Sequence, residues 1–260
     1  MQTSIYPETK ELTISDELRA CLRTARSVCV LTGAGISAES GVPTFRGAEG
    51  LWKKFRPEEL ANFDAFVRNP QLVWEWYAYR RTLMKTVQPN AGHQALAELE
   101  ALIPDTTIVT QNVDNLHCRA GSKNVIELHG NIERSYCIAC GKFQDTELEE
   151  EADGVPKCPA CGGLVRPDVV WFGELLPQEI FEEAERTSKR AELFLCVGTS
   201  VVVYPAASLP LVAREAGAYV VEINPEPTEL SSRVDESLRG KSGAIVPALL
   251  QLLKSSRGDL

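Results

Sequence analysis

Two cysteine pairs have the residue types and the spacing of a metal site. Cys137 and Cys140 form one Cys-x-x-Cys pair and Cys158 and Cys161 form the second, within the interval that four-cysteine zinc sites use. Four thiolates complete a tetrahedral shell around zinc and leave no position for a water molecule. We therefore predict a structural zinc ion at these cysteines. Two disulfides or free thiols are the alternatives, and a cytoplasmic chain disfavours disulfides.

A glycine-rich segment follows the first predicted strand directly and is typical of a nucleotide-binding turn. Gly33-Ala34-Gly35-Ile36-Ser37-Ala38 fits the pattern Gly-x-Gly-x-x-Gly/Ala. In that pattern the first glycine allows the turn and the second lets the backbone approach a pyrophosphate. A tight turn of small residues is the alternative. Residues 41–47 read as a loop rather than a strand that ends in an acidic residue, so we expect the nucleotide to be held differently from the cofactor of a dehydrogenase.

His129 is a candidate general base. It ends a predicted strand, and the sites of α/β proteins gather at the carboxyl ends of strands. An imidazole also titrates near neutral pH, which suits proton transfer. The alternative is a structural histidine that caps a strand, and His93 and His117 are interpreted as structural or supporting residues.

Tyr77 and Arg80 are candidates for binding a carboxylate. The stretch 73–81 is predicted to be helical, so residues at i and i+3 lie on one face. An arginine fork beside a phenol hydroxyl can bind a carboxylate. The alternative is a solvated amphipathic helix with Arg80 on the surface.

Short β-rich runs alternate with helical stretches along much of the chain. The predicted strands are 27–31, 106–110, 125–128, 193–197 and 219–223, and the predicted helices include 177–190, 206–216 and one capped by Ser15. Near-continuous apolar strands between helices indicate a parallel sheet covered on both faces. We predict an α/β fold: a Rossmann-like parallel sheet covered by helices, with a small inserted zinc-binding domain. The predicted parts are a Rossmann-like nucleotide-binding domain (1–44, 91–131 and 167–260), a helical segment over the cofactor (45–90) and a zinc module (132–166).

The composition is that of a globular protein without affinity for nucleic acid or membranes. Apolar residues make up 44% of the 260-residue chain and charged residues 24%, which are ordinary values. The formal net charge of -9 repels phosphate backbones and attracts basic segments, so we expect no direct nucleic-acid partner. No apolar run approaches the roughly 20 residues of a membrane helix. Residues 1–10 lack the pattern of a secretory signal, so we expect a cytoplasmic protein with no membrane partner.

The motifs occur in the order of one family, and the chain resembles the sirtuins, the NAD-dependent protein lysine deacylases. The resemblance runs from about Val30 to Ser242, most of the chain. It rests on the four-cysteine module and on six further stretches: Gly33–Ser37, Gly41–Arg46, Thr110–His117, His129–Gly130, Gly198–Ser200 and Ile223–Pro225. So many separate motifs in family order do not arise by chance.

The resemblance implies that NAD is consumed as a co-substrate, and it assigns the NAD contacts. The stretch Gly33 to Trp52 wraps the pyrophosphate and forms a mobile cofactor loop, with contacts from Gly33, Ala34, Gly35, Ser37, Thr44, Phe45, Arg46 and Trp52. Gln111 borders the nicotinamide ribose, and the nicotinamide pocket contains Asn112, Val113 and Asp114. The phosphate and adenosine contacts are Gly198, Thr199, Ser200, Asn224, Pro225, Glu226 and Ser242.

The resemblance also implies the reaction. The acyl-lysine carbonyl oxygen attacks C1′ of the nicotinamide ribose, nicotinamide leaves, and His129 accepts a proton from a ribose hydroxyl. Hydrolysis then gives free lysine and an O-acyl-ADP-ribose. Asn112 and Asp114 position the leaving group. The substrate backbone pairs by strand addition with Val170, Trp171, Phe172 and Gly173.

Within this family, the Tyr77-x-x-Arg80 pair resembles that of the class III sirtuins, which remove succinyl, malonyl and glutaryl groups. Ala61 matches the small residue that leaves their acyl pocket roomy. We therefore predict removal of succinyl, malonyl and acetyl groups from lysine side chains of proteins. The resemblance also favours a monomer, since lone catalytic cores of this family are often monomeric.

Two other functions are compatible with the same motifs. A mono-ADP-ribosyltransferase shares the first half of the chemistry. A nonenzymatic NAD or ADP-ribose sensor needs the fold alone, and the intact Asn112, Asp114 and His129 argue against it. A zinc-ribbon binder of nucleic acid disagrees with the net charge of -9.

Overall fold

The computed structural model describes residues 12–44, 60–144 and 155–258. The strands in these ranges are β1 (Ser27–Thr32), β2 (Asp105–Thr110), β3 (Val125–Glu127), β4 (Gly130–Cys137), β5 (Phe143–Gln144), β6 (Val165–Val169), β7 (Leu193–Val197), β8 (Tyr219–Asn224) and β9 (Glu236–Arg239). The helices in these ranges are α1 (Asp16–Thr24), α2 (Ala34–Ala38), α3 (Phe63–Arg68), α4 (Pro70–Thr86), α5 (Ala91–Leu102), α6 (Leu116–Arg119), α7 (Gln178–Arg190), α8 (Leu209–Glu215) and α9 (Ser242–Gly258).

Six strands form a parallel sheet in the order β3-β2-β1-β7-β8-β9. All residues of β1 and β7 are buried. Side chains alternate across β1, so Val28 and Val30 enter one core while Cys29 and Leu31 enter the other. The chain adds β2 and β3 on one side of β1 and then returns to place β7 on its other side. The predicted Rossmann-like α/β class is confirmed.

Helices cover both faces of this sheet. One core contains Leu18 of α1, Leu96 of α5 and Leu249 of α9, and the core on the opposite face contains Ala184 of α7 and Leu209 of α8. Burial of apolar side chains on both faces is what makes the parallel strands near-continuously hydrophobic. Among the helices of the described ranges, none has the length and apolar character needed to cross a membrane.

The start of α1 is confirmed in atomic detail. The Ser15 hydroxyl accepts a hydrogen bond from the backbone N–H of Leu18 at 3.0 Å, which satisfies one of the free donors of the first turn. Leu18 and Leu22 are buried, as the helical spacing predicts. Cys21 is half-buried at the flank of this apolar face.

One helix and one edge strand of the parallel-sheet region differ from the sequence prediction. The predicted helix 206–216 is divided into a 3-10 turn, Ala206–Ser208, and α8, Leu209–Glu215. Pro210 explains the break, because proline fits only the first turn of an α-helix. Strand β9 was not predicted, since its sequence Glu-Ser-Leu-Arg is short and mostly polar. It pairs only with β8 and closes the edge of the sheet.

A second, antiparallel sheet has the strand order β5-β4-β6 and lies next to the four-cysteine cluster. It shares one hydrophobic core with α4, to which Trp74, Val165 and Trp171 contribute. The Trp74 indole N–H donates to the Val165 carbonyl at 2.9 Å. Arg81 of α4 donates to the Ile132 carbonyl at 2.6 Å. Helix α4 and the small sheet are therefore joined by packing and by hydrogen bonds.

Candidate active site

A cavity of about 1000 Å³ opens at the carboxyl ends of β1, β2, β7 and β8. It lies where the strand order reverses direction between β1 and β7, the position at which open α/β sheets bind ligands. Helix α4 and the segment after β6 form the opposite wall. The predicted cofactor residues on the wall are Gly33, Ala34, Gly35, Thr44, Gln111, Asn112, Val113, Gly198, Thr199, Ser200, Asn224 and Glu226.

The remaining predicted cofactor residues lie elsewhere. Ser37 and Asp114 are buried close behind the wall. Ser37 accepts a hydrogen bond from the lining residue Asn112 and donates one to Asp114. Pro225 and Ser242 are outside the lining, and the buried Ser242 hydroxyl lies 3.5 Å from a carboxylate oxygen of Glu39. The other three, Phe45, Arg46 and Trp52, lie outside the described residues.

The turn after β1 packs against the turn after β7 so closely that both need glycine. A Cβ on Gly35 would lie 2.6 Å from the Gly198 carbonyl oxygen, and one on Gly33 would lie 2.7 Å from the Thr199 Cβ. Gly198 has a φ of 60°, in the left-handed region. The Gly35 N–H donates to the Gly198 carbonyl at 2.7 Å. These contacts leave bare backbone facing the cavity, which suits close approach of a pyrophosphate.

Asn112, Ser37 and Asp114 form a buried chain of hydrogen bonds at one end of the cavity. The Asn112 amide donates to the Gly33 carbonyl at 3.0 Å and to the Ser37 hydroxyl at 3.1 Å. Ser37 donates to Asp114 at 2.7 Å, and the second carboxylate oxygen of Asp114 accepts the Leu116 N–H at 3.0 Å. Burial raises the pKa of Asp114. Both amide hydrogens of Asn112 are used inside the protein, so its carbonyl oxygen is the atom available to a ligand.

Two histidines lie behind this chain as neutral imidazoles. Burial lowers the pKa of His93 to about 4, and burial together with His93 lowers the pKa of His117 well below its ordinary value. Their ring centroids are 4.9 Å apart. His93 lies 3.4 Å from the Ser37 hydroxyl, and His117 lies 2.9 Å from the Thr32 hydroxyl. This placement agrees with the interpretation of both histidines as supporting residues.

His129 lies on the cavity wall with its tautomer fixed by a backbone contact. Its Nδ1 lies 2.8 Å from the Gln111 carbonyl oxygen. A carbonyl oxygen only accepts, so Nδ1 carries the hydrogen and Nε2 keeps its lone pair. Burial lowers the pKa of His129 below its ordinary value, although the hydrogen bond to Gln111 raises it in part. The ring is therefore a neutral base with one free acceptor nitrogen.

Gln111 connects three of the loops that form the site. Its side chain donates to the Thr199 hydroxyl at 2.9 Å, and its backbone N–H donates to the Thr32 carbonyl at 3.0 Å. Asn224 donates to the Thr199 carbonyl at 2.9 Å. The loops after β1, β2, β7 and β8 are thus held together by hydrogen bonds to Gln111 and Thr199.

The predicted acyl residues Tyr77, Arg80 and Ala61 define a second part of the cavity wall, the acyl end, which is close enough to the first for Arg80 to interact electrostatically with Asp114. Tyr77 and Arg80 of α4 both line it and are only 1% and 8% exposed. The alternative of a solvated Arg80 is therefore wrong. The Arg80 guanidinium lies 5.8 Å from the Tyr77 ring centroid and 5.9 Å from that of Trp76. Ala61 also lines this end and accepts a hydrogen bond from the Phe172 N–H at 2.9 Å.

The segment after β6 continues from this end towards His129. Val170, Trp171, Phe172 and Gly173 all line the cavity. The Val170 N–H donates to the His129 carbonyl at 3.0 Å, so this segment lies directly beside the candidate base. The structure therefore brings the predicted base, the predicted acyl pocket and the predicted peptide segment together in one cavity.

Comparison with known proteins identifies the family. The profile of the Sir2 family matches residues 33–205. An NAD-dependent protein deacylase of Aquifex aeolicus (strain VF5) is 51% identical over 233 residues, which cover 90% of this chain and 98% of the relative. The chain belongs to the Sir2 family. A solved complex of a Sir2 homologue with NAD is 45% identical, with a TM-score of 0.88 over 96% of this chain and 98% of the other. A solved complex of Sir2 with a p53 peptide and NAD+ is 36% identical, with a TM-score of 0.80 over 94% and 99% of the two chains.

The cavity of this Sir2 protein has the features that NAD requires. Glycine backbone is exposed where a pyrophosphate would lie, and any Cβ on Gly33 or Gly35 would collide with the neighbouring turn. Both amide hydrogens of Asn112 are bonded inside the protein, so its carbonyl oxygen is the group that could accept an amide N–H such as that of nicotinamide. The volume of about 1000 Å³ is at the upper end of the range for cofactor sites.

The four-cysteine cluster of this Sir2 protein fits zinc. The sulfur atoms of Cys137, Cys140, Cys158 and Cys161 all lie within 4.8 Å of one another. The pair Cys137–Cys161 is 3.5 Å apart and the pair Cys140–Cys158 is 3.7 Å apart. These separations exclude disulfides, whose sulfurs are about 2.05 Å apart, and match a tetrahedron of thiolates about 2.3 Å from zinc. None of the four lines the cavity, which agrees with a structural role.

Sequence reasoning missed several groups of this Sir2 protein that the site depends on. Thr32 and Thr110 carry hydroxyls that bond to each other at 2.8 Å beneath the cavity. Arg166 and Glu174 form an ion pair beside Trp171. A signal existed for Glu174, because it is a charged residue between the apolar stretches 169–172 and 175–177, and such a charge is normally paired when it is partly buried.

Proposed function

We propose that this Sir2 protein is an NAD-dependent protein-lysine deacylase that removes succinyl and malonyl groups as well as acetyl groups. The coarser activity, NAD-dependent protein deacylation, follows from membership of the family. The finer assignment rests on one observation: a tyrosine and an arginine are buried together on the wall of the cavity. The zinc at the four cysteines supports the fold and takes no part in the reaction.

The residues at the nicotinamide end are suited to position and to deprotonate. NAD supplies the activated C1′ carbon and the leaving group when it is bound. Asn112 offers its carbonyl oxygen to the leaving amide, while the chain through Ser37 and Asp114 holds it in place. His129 offers a lone pair on Nε2 and accepts a proton from a ribose hydroxyl. A hydrogen bond from Nδ1 to the Gln111 carbonyl keeps the ring in the orientation for this transfer.

The acyl end is suited to a substrate that carries a carboxylate. Burial disfavours the charged form and lowers the pKa of Arg80. A carboxylate brought by the substrate would offset this cost through charge-assisted hydrogen bonds to the guanidinium. Such bonds contribute about 1.5–3 kcal/mol each. An acetyl group has no carboxylate and gains none of this stabilisation, so the acidic acyl groups should be favoured.

The substrate is an acylated lysine within a polypeptide. One solved relative was crystallised with a p53 peptide and NAD+. We infer that this chain likewise takes a peptide segment along Val170–Gly173, where backbone groups follow the end of β6. The net charge of -9 favours basic, lysine-rich segments over nucleic acid. A cytoplasmic location, the absence of a membrane partner and a monomeric state remain predictions.

Steady-state kinetics on one peptide with either acetyl-lysine or succinyl-lysine test the acyl assignment. Arg80→Met should lower kcat/KM for the succinyl peptide by about tenfold to a hundredfold, because one to two charge-assisted hydrogen bonds are lost. The effect on the acetyl peptide should be much smaller. Desuccinylation that survives Arg80→Met unchanged would contradict the carboxylate assignment.

Arg68→Met is the matched control, since Arg68 is exposed on α3 and donates to the backbone of its own helix. It should leave the succinyl-to-acetyl ratio as in the parent protein. Product analysis separates the alternatives. O-acyl-ADP-ribose is expected from a deacylase, whereas ADP-ribose attached to protein would indicate a transferase. A sensor would release no nicotinamide.

A further inference from the structure

Trp171 lies between two polar groups that the sequence motifs do not connect. Its indole N–H donates to the Tyr77 hydroxyl oxygen at 2.8 Å. On its other side, the Arg166 guanidinium lies 3.5 Å from the Trp171 ring centroid. Trp171 is 2% exposed and Arg166 3%. The tryptophan therefore connects a buried arginine to the acyl end of the cavity.

The position of Trp171 is fixed on its backbone as well as on its ring. Glu174 forms an ion pair with Arg166, and the same carboxylate accepts the Trp171 N–H at 2.8 Å. Arg166 also donates to the Val169 carbonyl at 2.8 Å. The end of β6 before Trp171 and the turn after it are thus held by a single buried arginine and its carboxylate partner.

The hydrogen bond from Trp171 sets the direction of the Tyr77 hydroxyl. An indole nitrogen only donates, so the phenol oxygen must accept. The Arg80 guanidinium, a cation that only donates, lies 5.8 Å from the Tyr77 ring centroid. With the Trp171 N–H on the oxygen and a cation nearby, the phenol hydrogen is left to point away from both, to an acceptor in the cavity. Tyr77 and Arg80 then present only donors to a substrate.

We propose that Trp171 is a specificity-determining positioning residue, which commits the Tyr77 hydroxyl to donate to the carboxylate of an acidic acyl group. This proposal rests on the proposed function, since it explains how the same pocket selects a carboxylate. Donors alone suit a carboxylate, which accepts hydrogen bonds at both oxygens and donates none. The Arg166–Glu174 pair acts through Trp171 by holding the ring and its backbone in place.

Trp171→Phe tests the proposal, because it keeps an aromatic ring against Arg166 and removes the indole N–H; the Trp74→Phe control removes the same ring volume at another buried site. We expect kcat/KM for the succinyl peptide to fall about tenfold, mainly through KM, since one buried hydrogen bond and the direction of a second are lost. The fall for the acetyl peptide should be several times smaller. In a double-variant cycle, Tyr77→Phe and Trp171→Phe should be strongly non-additive on the succinyl peptide, since both act on one hydroxyl.

Trp74→Phe is the matched control. Trp74 is also buried and also loses an indole hydrogen bond, to the Val165 carbonyl, but it does not line the cavity. It should reduce stability and leave the succinyl-to-acetyl ratio unchanged. An equal fall for both peptides in Trp171→Phe, or additive effects in the cycle, would overturn the positioning role. If the proposed function were wrong, Arg80→Met would leave desuccinylation unchanged. If only the role of Trp171 were wrong, Arg80→Met would still lower desuccinylation.

Discussion

The two ends of the cavity are built from different parts of the fold and are held by different interactions. The nicotinamide end is formed by the loops after four parallel strands and is joined by hydrogen bonds among Gln111, Asn112, Ser37 and Asp114. The acyl end is formed by α4 and the segment after β6, where Tyr77, Arg80 and Trp171 pack as aromatic and cationic groups. The first end is suited to chemistry common to all acyl-lysines, and the second to selection among them.

This division predicts two distinguishable patterns of damage. A change at the nicotinamide end should lower the rates for acetyl and succinyl peptides by the same factor. A change at the acyl end should alter the ratio of the two rates. The succinyl-to-acetyl ratio therefore reports which end a variant has affected, independently of the absolute rate.

Loss of zinc should produce the largest effect, and it should fall on the acyl end. Structural four-cysteine sites contribute on the order of 10 kcal/mol through the metal. The cluster lies beside the small sheet whose strand β6 leads into Trp171, whereas the parallel sheet has its own two cores. In Cys161→Ser, acyl-peptide turnover should be lost while ADP-ribose binding, measured by calorimetry, survives.

Cys118→Ser is the control for this experiment, because Cys118 is exposed and lies outside the cluster. It should retain both zinc and turnover. If Cys161→Ser lost ADP-ribose binding together with turnover, the two ends would form one cooperative unit, and the division between a nicotinamide end and an acyl end would be wrong.

His129→Ala should lower kcat by about a hundredfold or more for both peptides, since a positioned base contributes that much. The succinyl-to-acetyl ratio should stay constant, because the base acts after the acyl group is bound.

The pH profile of the parent protein gives a second check on the base. Burial lowers the pKa of His129 below the ordinary histidine value of 6.5. The base therefore stays neutral to a lower pH, and the midpoint of the acid limb of kcat/KM should lie below pH 6.5. A limb above that value would point to another group.

Asp114→Asn should lower kcat/KM about tenfold for both peptides. Asp114 accepts hydrogen bonds from Ser37 and from the Leu116 N–H, and an asparagine can accept only one of them on its carbonyl oxygen. The remaining donor would face an NH₂ group at a cost of about 1–3 kcal/mol. Asp105→Asn, at the exposed start of β2, is the control and should have no effect. A change in the acyl ratio would show that the two ends are coupled.

The same contrast explains what the sequence could predict. The parallel strands were recognisable because β1 and β7 are buried on both faces and therefore almost wholly apolar. Zinc was recognisable because its four ligands lie in two short motifs. The edge strand β9 was missed since half-exposed polar residues carry little periodic signal. The contact of Trp171 with Tyr77 joins residues far apart in sequence, and no local pattern encodes the direction of a hydroxyl.

The smallest predicted effect concerns pH and distinguishes the two ends by charge. The nicotinamide end contains the neutral His93, whose pKa burial lowers to about 4, whereas the acyl end contains the guanidinium of Arg80. Between about pH 6.5 and 4 the unfolded chain binds a proton that folded His93 does not. Stability from this residue is therefore full above pH 6.5 and is lost as pH falls, by about 1 kcal/mol at pH 5.5. The lowered pKa of His117 acts in the same direction, and the raised pKa of Asp114 opposes it.

Urea unfolding of the parent protein and of His93→Gln at pH 7 and pH 5.5 measures this contribution together with the effect of His93 on the pKa of His117. The parent should lose about 1 kcal/mol more than His93→Gln between the two pH values. His93 contacts Ser37 and not the acyl end, so the succinyl-to-acetyl ratio should be the same in both proteins. Equal pH dependence in the two would mean that folding does not lower the pKa of His93, and the nicotinamide end would then hold a buried positive charge at pH 5.5 instead of a neutral ring.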